Sequence, residues 1–536
     1  MADIPLALSP NFCGPPIGLN TPGYESPRPL VTLKSLLSDR ALTVKRPRQQ
    51  PPSLIFRLPA EMLAEIFLKA TEDQEVSTTG MKIPMRSHLV LSHVCALWRA
   101  VALYTPSLWC RVVLHLGSRT TGFSSITTLA RTCFVRSCEL PLALIITSSA
   151  KAETIPNLSM DLVLPVRHRI RHLELTLPAV FTESIFKLPK KTMKALRTIS
   201  VTALVPDEPV SWFHAMSALA GAPLLHSVKL SCAPAVGPLR WTGVRLDPFA
   251  AGLPWEQLTE LHLQDLVLCC ADAIYALKQT THLLRCSLDI DIPEALGPVP
   301  LFPPLPGLSP SAAATPRIKT PVTLPALLTL HLTVSGWDGA TSELLDRFIL
   351  PSLTDLSIIN KESQLLPCTA LTALQTRSSF SLERFVLAHR MGDSLLPFLQ
   401  TNPHLTRLLL VSCGLKLAPL AAALTLETGV PPLLPRLRAL ALSDSWRDAA
   451  PRRATKAALN MARSRRHVPG DTHGTAQLRT LTFGSQVEHS AARVARWPAE
   501  GMRVRVVRVP ASEGPWRAQV VRADLLGLGL DWDWEC

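Results

Sequence analysis

The sequence predicts an α+β chain in which a small helical domain precedes a long, irregular α/β solenoid. Three observations predict it. Between residues 56 and 105 apolar residues recur at helical spacing. From residue 110 onward a different unit takes over, apolar-x-x-apolar-x-apolar, and it returns eleven times. Proline, at 48 residues, punctuates the chain and keeps its elements short.

Composition sets the bounds. At 536 residues the chain is too long for one ordinary core, so several domains or a repeat array are expected. Apolar residues make up 47% and aromatic residues only 5%, so leucine, valine and alanine must fill the interior. The formal charge is +14, and it is uneven: residues 446–510 hold 13 Lys/Arg against 4 Asp/Glu, a net of +9. Such a surface points to solubility or a loose acidic partner before it points to nucleic acid. Twelve cysteines are scattered from Cys13 to Cys536 with no C-x-x-C pair, which fits reduced thiols; no metal site or cofactor is expected. The N-terminus shows no basic-then-apolar leader, and no apolar run reaches the ~18 residues that span a bilayer. A soluble protein of the cytosol, the nucleus or both is expected, with Lys45-Arg46-Pro47-Arg48 as a candidate nuclear signal.

Residues 1–53 form a mostly disordered segment in this reading. Ten prolines fall within the first 52 residues, with at most a short helix over Val31–Val44. Residues 54–109 form the helical domain. Its first helix opens at Leu58-Pro59-Ala60-Glu61, because proline suits a first turn whose N–H has no partner. Leu63, Ile66, Phe67 and Ala70 then line one side. A second helix is predicted from Arg86 to Tyr104. It has one stripe of Leu91, Val94, Trp98 and Ala102 and another of Val90, Leu97 and Val101. That apolar face is wider than one short helix needs, so it is either sandwiched or covered by a partner.

Residues 110–536 carry the repeating unit. It begins at Ile170, Leu196, Leu225, Leu258 and Leu283, and again at Leu327, Leu353, Leu382, Leu405, Leu437 and Leu478. The starts are separated by 26, 29, 33, 25, 44, 26, 29, 23, 32 and 41 residues. Most intervals lie near the 20–29 residue period of leucine-rich repeats, so the region is leucine-rich-repeat-like. Each unit supplies one short strand that cannot bury its apolar face alone, and stacked neighbours share a continuous core. An ordinary parallel α/β domain with leucine-rich strands remains the alternative. The two longest intervals hold insertions. Residues 293–325 carry ten prolines and read as a linker. Residues 446–470 carry seven arginines and lysines, helical over much of Arg453–Arg466, and read as a solvated loop whose removal (449–468) the fold should tolerate.

Leu58-Pro59-Ala60-Glu61-Met62-Leu63-Ala64-Glu65-Ile66-Phe67 resembles the opening of an F-box, and the run from Leu89 to Ala102 resembles its second half. Thr105-Pro106-Ser107-Leu108-Trp109 is similar to the segment just after the F-box in proteins of mushroom-forming (basidiomycete) fungi. Two looser blocks are Arg136–Leu144, with Cys138 where a Gly is common, and Arg169–Leu175, with Ile170 where a Trp is usual. Thr71–Met85 makes the gap between the two halves longer than in a compact F-box. The resemblance implies a non-catalytic substrate receptor of a cullin–RING ubiquitin ligase. It would dock on a Skp-type adaptor of the cullin complex and hold an unknown protein substrate on its repeats. By match to the motif, Leu58, Pro59, Ile66, Phe67, Leu91, Val94, Cys95 and Trp98 are implied for the adaptor face or the core beneath it. The alternatives are a leucine-rich scaffold whose F-box is non-functional, and a basic nucleic-acid binder working through 446–510. Trp446, Trp497 and Trp516 stand too far apart to form one stacking platform, so neither nucleic acid nor a membrane is an expected partner.

No catalytic pattern competes. The chain has no G-x-x-x-x-G-K-[ST], no G-x-S-x-G and no H-E-x-x-H, and Gly527-Leu528-Gly529 lacks a third glycine. A protein is therefore the expected substrate, and strand parity places its site. If Leu173 and Leu175 are buried, Glu174 and Thr176 face out. The same parity exposes His262, Gln264, His331, Thr333, Ser357, Ile359, Leu409 and Val411. Of these, His262, Gln264, His331, Thr333, Ser357 and Leu409 are the candidate substrate-binding residues.

Overall fold

The structure is a computed structural model. It describes residues 54–72, 87–116, 123–148, 162–205, 216–234, 244–245, 252–268, 270–292, 321–336, 340–360, 365–411, 413, 417–427, 430–443, 451–466, 475–484 and 503–507. The expectations for residues 1–53, for the Lys45–Arg48 run and for most of the 293–325 insertion lie outside these. Two compact units divide the chain, Met1–Leu58 and Pro59–Cys536, so the helices from Pro59 onward and the strands fall in one unit.

Helix α1 (Ala60–Glu72) begins as the sequence predicts, with Leu63 N donating to Pro59 O at 3.1 Å. The predicted second helix is two, α2 (Ser87–Val94) and α3 (Ala96–Leu103). Three polar side chains make the break. Ser92 Oγ donates back to Leu89 O (2.7 Å). Cys95 adopts an extended backbone, φ −157°, and its Sγ accepts from Trp98 N at 3.4 Å as an N-cap. Arg99 Nε donates to the freed Ser92 O (2.9 Å). The Phe67 and Trp98 rings meet at 4.9 Å, tilted by 55°, and close the module's interior. Trp109 is fully buried behind α3, its Nε1 donating to Ala102 O at 2.8 Å, with the Arg136 guanidinium 4.4 Å above its ring.

A large, open, parallel sheet comes next. In order its strands are β1 (Arg111–Leu116), β2 (Leu142–Ser148), β3 (Ile170–Pro178), β4 (Thr198–Val205), β5 (Ser227–Pro234), β7 (Glu260–Leu268), β8 (Arg285–Ile292), β10 (Thr329–Gly336), β12 (Asp355–Asn360), β14 (Arg384–Ala388), β16 (Arg407–Val411), β17 (Ala439–Ser443), β18 (Thr480–Gly484) and β19 (Arg503–Val507). Their order in the sheet is their order in the chain. Short β6 (Val244–Arg245) pairs with β7. Two small pairs stand apart: β9 (Val322–Thr323) with β11 (Phe348–Ile349), and β13 (Leu365–Leu366) with β15 (Arg390–Met391). The other described α-helices are α4 (Phe123–Arg136), α5 (Ala179–Phe186), α6 (Cys270–Gln279), α7 (Ala340–Leu345), α8 (Cys368–Ser378), α9 (Leu396–Gln400), α10 (Leu417–Leu424) and α11 (Pro451–Arg466).

All eleven predicted units supply a strand of this sheet, from β3 to β18, and in all but the first the leading leucine stands just before its strand. Their register is exact from strand to strand: Leu330 pairs with Cys286 and Leu356, Leu356 with Phe385, and Phe385 with Leu408. Among the described side chains each row is therefore a continuous line of buried apolar groups. Burying one such side chain is worth roughly 1.5–3 kcal/mol. Strands β1, β2 and β19 extend the array beyond the predicted units. Buried polar groups tie the turns. Asn402 receives Leu382 N on Oδ1 and donates to Phe398 O. Cys413, nine positions into its unit, donates from Sγ to Leu387 O at 3.2 Å, and burial pushes its thiol up to about 12. His389 Nδ1 meets Arg390 O, a pure acceptor, so Nε2 is left to accept from Asn360 and Thr341.

Two sequence expectations are corrected by the structure. The last residues of the proline-rich insertion are core, with Val322 and Leu324 buried. The basic insertion is not a solvated loop. Its helix α11 packs on α10 and buries Ala458, Leu459, Met461, Ala462 and Arg465. Alanines carry much of that face, so a leucine-based pattern does not register it. Arg465 Nε donates to Leu424 O (2.6 Å), Nη1 to Leu434 O (2.9 Å) and Nη2 to Leu433 O. Desolvation lowers its pKa to about 10, still well above neutral.

Candidate docking surface on the helical module

Helices α1–α3 expose more large apolar side chains than packing accounts for. Met62, Ile66, Val90, Val94, Leu97, Leu103 and Tyr104 are all solvent-facing, with Ile66 at 42%, Val90 at 58% and Val94 at 55% exposure. Leu89, Val90, His93 and Val94 line a shallow open depression on α2. Clusters of this kind mark interaction surfaces when they are contiguous.

The implied adaptor residues separate cleanly. Pro59, Ile66 and Val94 are exposed. Leu58, Leu91, Cys95 and Trp98 are half-buried, and Phe67 is interior at 1%. Cys95 acts locally as the cap of α3, and Phe67 with Trp98 supports the surface from beneath. Trp98 Nε1 is buried without an acceptor among the described residues. Motif matching passed over Met62, Val90 and Leu97. The signal for Val90 and Leu97 was present in the over-wide apolar face of the second helix, while Met62, on α1, had none.

The candidate substrate residues fare differently. Glu174 is exposed and Thr176, Gln264 and His331 are half-exposed, as parity predicts. His262, Thr333, Ser357, Ile359, Leu409 and Val411 are buried, which overturns the expectation of solvent-facing positions there. Ile359, Val386, Ala388, Leu409, Val411 and Ala441 form one buried cluster on the face opposite the leucine rows. The physical reason is legible afterwards. Ile358-Ile359, Val386-Leu387-Ala388 and Leu408–Val411 are continuous apolar runs, the mark of parallel strands buried on both faces.

The sequence matches no protein-family model and no curated protein. Among the described residues no helix is long and apolar enough to cross a membrane, and no cluster of His, Cys, Asp and Glu could hold a metal ion.

His262 carries a pH consequence. Burial first, then the charge of Lys229, pushes it down to about 4; Glu260 opposes and Arg285 adds. Its Nε2 has no partner among the described residues. An unfolded histidine takes up its proton near pH 6.5, while the folded one does not until about pH 4. The contribution to stability is therefore full above pH 6.5 and is lost as pH falls from there to about 4. Denaturant midpoints measured across that window should drop in the wild type, and His262→Gln should flatten the drop. Equal slopes would refute it.

Proposed function

We propose that this chain is the substrate-receptor subunit of a Skp–cullin–F-box ubiquitin ligase. Residues 59–109 act as the F-box, and the stacked strands form a leucine-rich-repeat-like solenoid that holds a protein substrate. The observation that carries the reading is the exposed apolar surface of α1–α3. It includes Ile66 and Val94, two positions matched to the F-box motif, while their motif neighbours Phe67 and Trp98 pack beneath. An apolar surface of that kind suits a protein partner, with its exposed residues as anchors. The parallel array placed after it, in chain order, suits a substrate-holding scaffold with no chemistry of its own.

The test is co-purification of the full chain from fungal cells with identification of bound proteins. A Skp-type adaptor together with a cullin is the expected result. A stable protein complex that lacks both would favour the scaffold alternative.

A further inference from the structure

The start of the sheet gathers arginines and histidines at its strand starts; two arginines, Arg438 and Arg479, recur at that position near the other end, with Arg479 N donating to Arg438 O at 2.8 Å, but with no histidine beside them. Arg171, Arg197 and His226 occupy the same position where β3, β4 and β5 begin. Their backbones are joined, Arg197 N donating to Arg171 O at 2.8 Å and His226 N to Arg197 O at 3.0 Å. Neighbouring strands lie ~4.8 Å apart, so these three side chains spring from within about 10 Å. His172 sits beside them, its Nδ1 2.7 Å from Thr198 Oγ1. Register brings in Arg111, which pairs with Ala143 as Ala143 pairs with His172. Burial and then the charges of Arg171, His226, Arg197 and Arg111 all hold the His172 pKa below its ordinary value.

No described carboxylate answers the two central arginines. Among the described residues neither Arg171 nor Arg197 has an ion-pair partner, and Arg171 Nε is buried without an acceptor. Glu174, the exposed acid on β3, lies two residues past His172, ~7 Å along the strand, and makes no described ion pair. One residue further into the strands, in register with His172, the fold pairs its charges. There Arg285 Nη1 meets Glu260 Oε1 at 2.8 Å, and Arg384 Nε meets Asp355 Oδ1 at 3.3 Å. Like charges on adjacent strands destabilise the pair, and an anion supplied from outside would relieve them.

We propose that this strand-start edge, Arg111, Arg171, His172, Arg197 and His226, binds an anionic stretch of a protein partner. Guanidinium forks match carboxylate and phosphate oxygens bidentately, so either group can supply the anion. A cationic line across neighbouring strands suits an extended peptide. None of these positions carries Phe, Tyr or Trp, the large rings on which bases stack best, so a peptide fits better than a nucleic acid. The inference does not depend on adaptor docking, which uses other residues.

The experiment is fluorescence anisotropy on the full chain. The probes are a phosphoserine peptide, its unphosphorylated form, an oligoglutamate peptide and a single-stranded oligonucleotide, at low and raised salt. The phosphoserine or the oligoglutamate peptide should bind in a salt-sensitive way, and which of them binds names the source of the anion. Arg171→Gln with Arg197→Gln should weaken it ~tenfold or more, the scale of losing charge-assisted hydrogen bonds. Arg438→Gln with Arg479→Gln, exposed arginines beside β17 and β18, should leave binding unchanged. Arg111→Gln gives the same readout from an exposed position if the double variant fails to fold. The proposal is overturned if neither anionic peptide binds, if the Arg171/Arg197 and Arg111 variants bind like wild type, or if loss follows only the Arg438/Arg479 pair. Displacement of the peptide by the oligonucleotide at these arginines would overturn it as well.

Discussion

Replacing Arg465 by methionine should lower the stability of the chain by about 3 kcal/mol or more, far beyond a surface arginine. The guanidinium is fully buried and serves three carbonyls, Leu424 O at the end of α10 and Leu433 O and Leu434 O in the turn beyond it. Methionine keeps most of the volume but removes the side-chain donor of Leu424 O and Leu433 O, and leaves Leu434 O with Leu437 N alone, at ~1–3 kcal/mol for each buried group left unpaired. Leu434 sits at a positive φ of 53°, so its turn already works against local preference. Deleting residues 449–468 should do more harm, since it also uncovers the α10 face that Ala458, Met461 and Ala462 bury. Urea midpoints of wild type, Arg465→Met and Lys456→Met decide it. Lys456 is exposed on the same helix and should shift the midpoint little. If Arg465→Met is as mild as Lys456→Met, the buried arginine is not a tie.

The same helix shows where sequence reading stopped. The leucine rows of the sheet were legible because each unit repeats a three-apolar signature, and a strand is short enough for that signature to define it. Helix α11 looked like a solvated basic loop because composition counts charges without knowing where they point. Among the described side chains of the insertion Arg465 is fully buried, and only its position three and four residues beyond Ala462 and Met461 hints at it. Parity likewise read the strands as one-sided. It succeeded at Glu174, where polar and apolar residues alternate, and failed at Leu409, where apolar residues run on. On the helical module the motif match could not sort surface from support. Ile66 and Phe67 are adjacent and equally apolar, and which of them faces solvent depends on where α2 and α3 pack. The break at Cys95 that sets this packing rests on a thiol cap and a serine, weak signals in a sequence that otherwise reads as one helix.

Changing Ile66 and Val94 together to aspartate should abolish capture of a Skp-type adaptor while leaving the fold intact. Both side chains are already solvent-facing, so a charge there removes no core contact and leaves no buried group unpaired. At the centre of an interface, truncating an apolar anchor costs ~2 kcal/mol or more, about thirtyfold in affinity, and a buried unpaired carboxylate adds to that. The pair should therefore weaken binding by more than about a hundredfold. Phe67→Ala is the contrasting variant. Phe67 is interior and packs on Trp98, so its loss should cost roughly 3–5 kcal/mol of stability and reduce binding only by disordering the module. Pull-down of purified adaptor together with thermal melts of each variant separates the two cases. Loss of binding with an unshifted melt for Ile66→Asp/Val94→Asp, against a lowered melt for Phe67→Ala, is the expected pattern. Wild-type capture by the double aspartate variant would remove the α1–α3 surface from any adaptor role, and with it the observation on which the receptor reading rests.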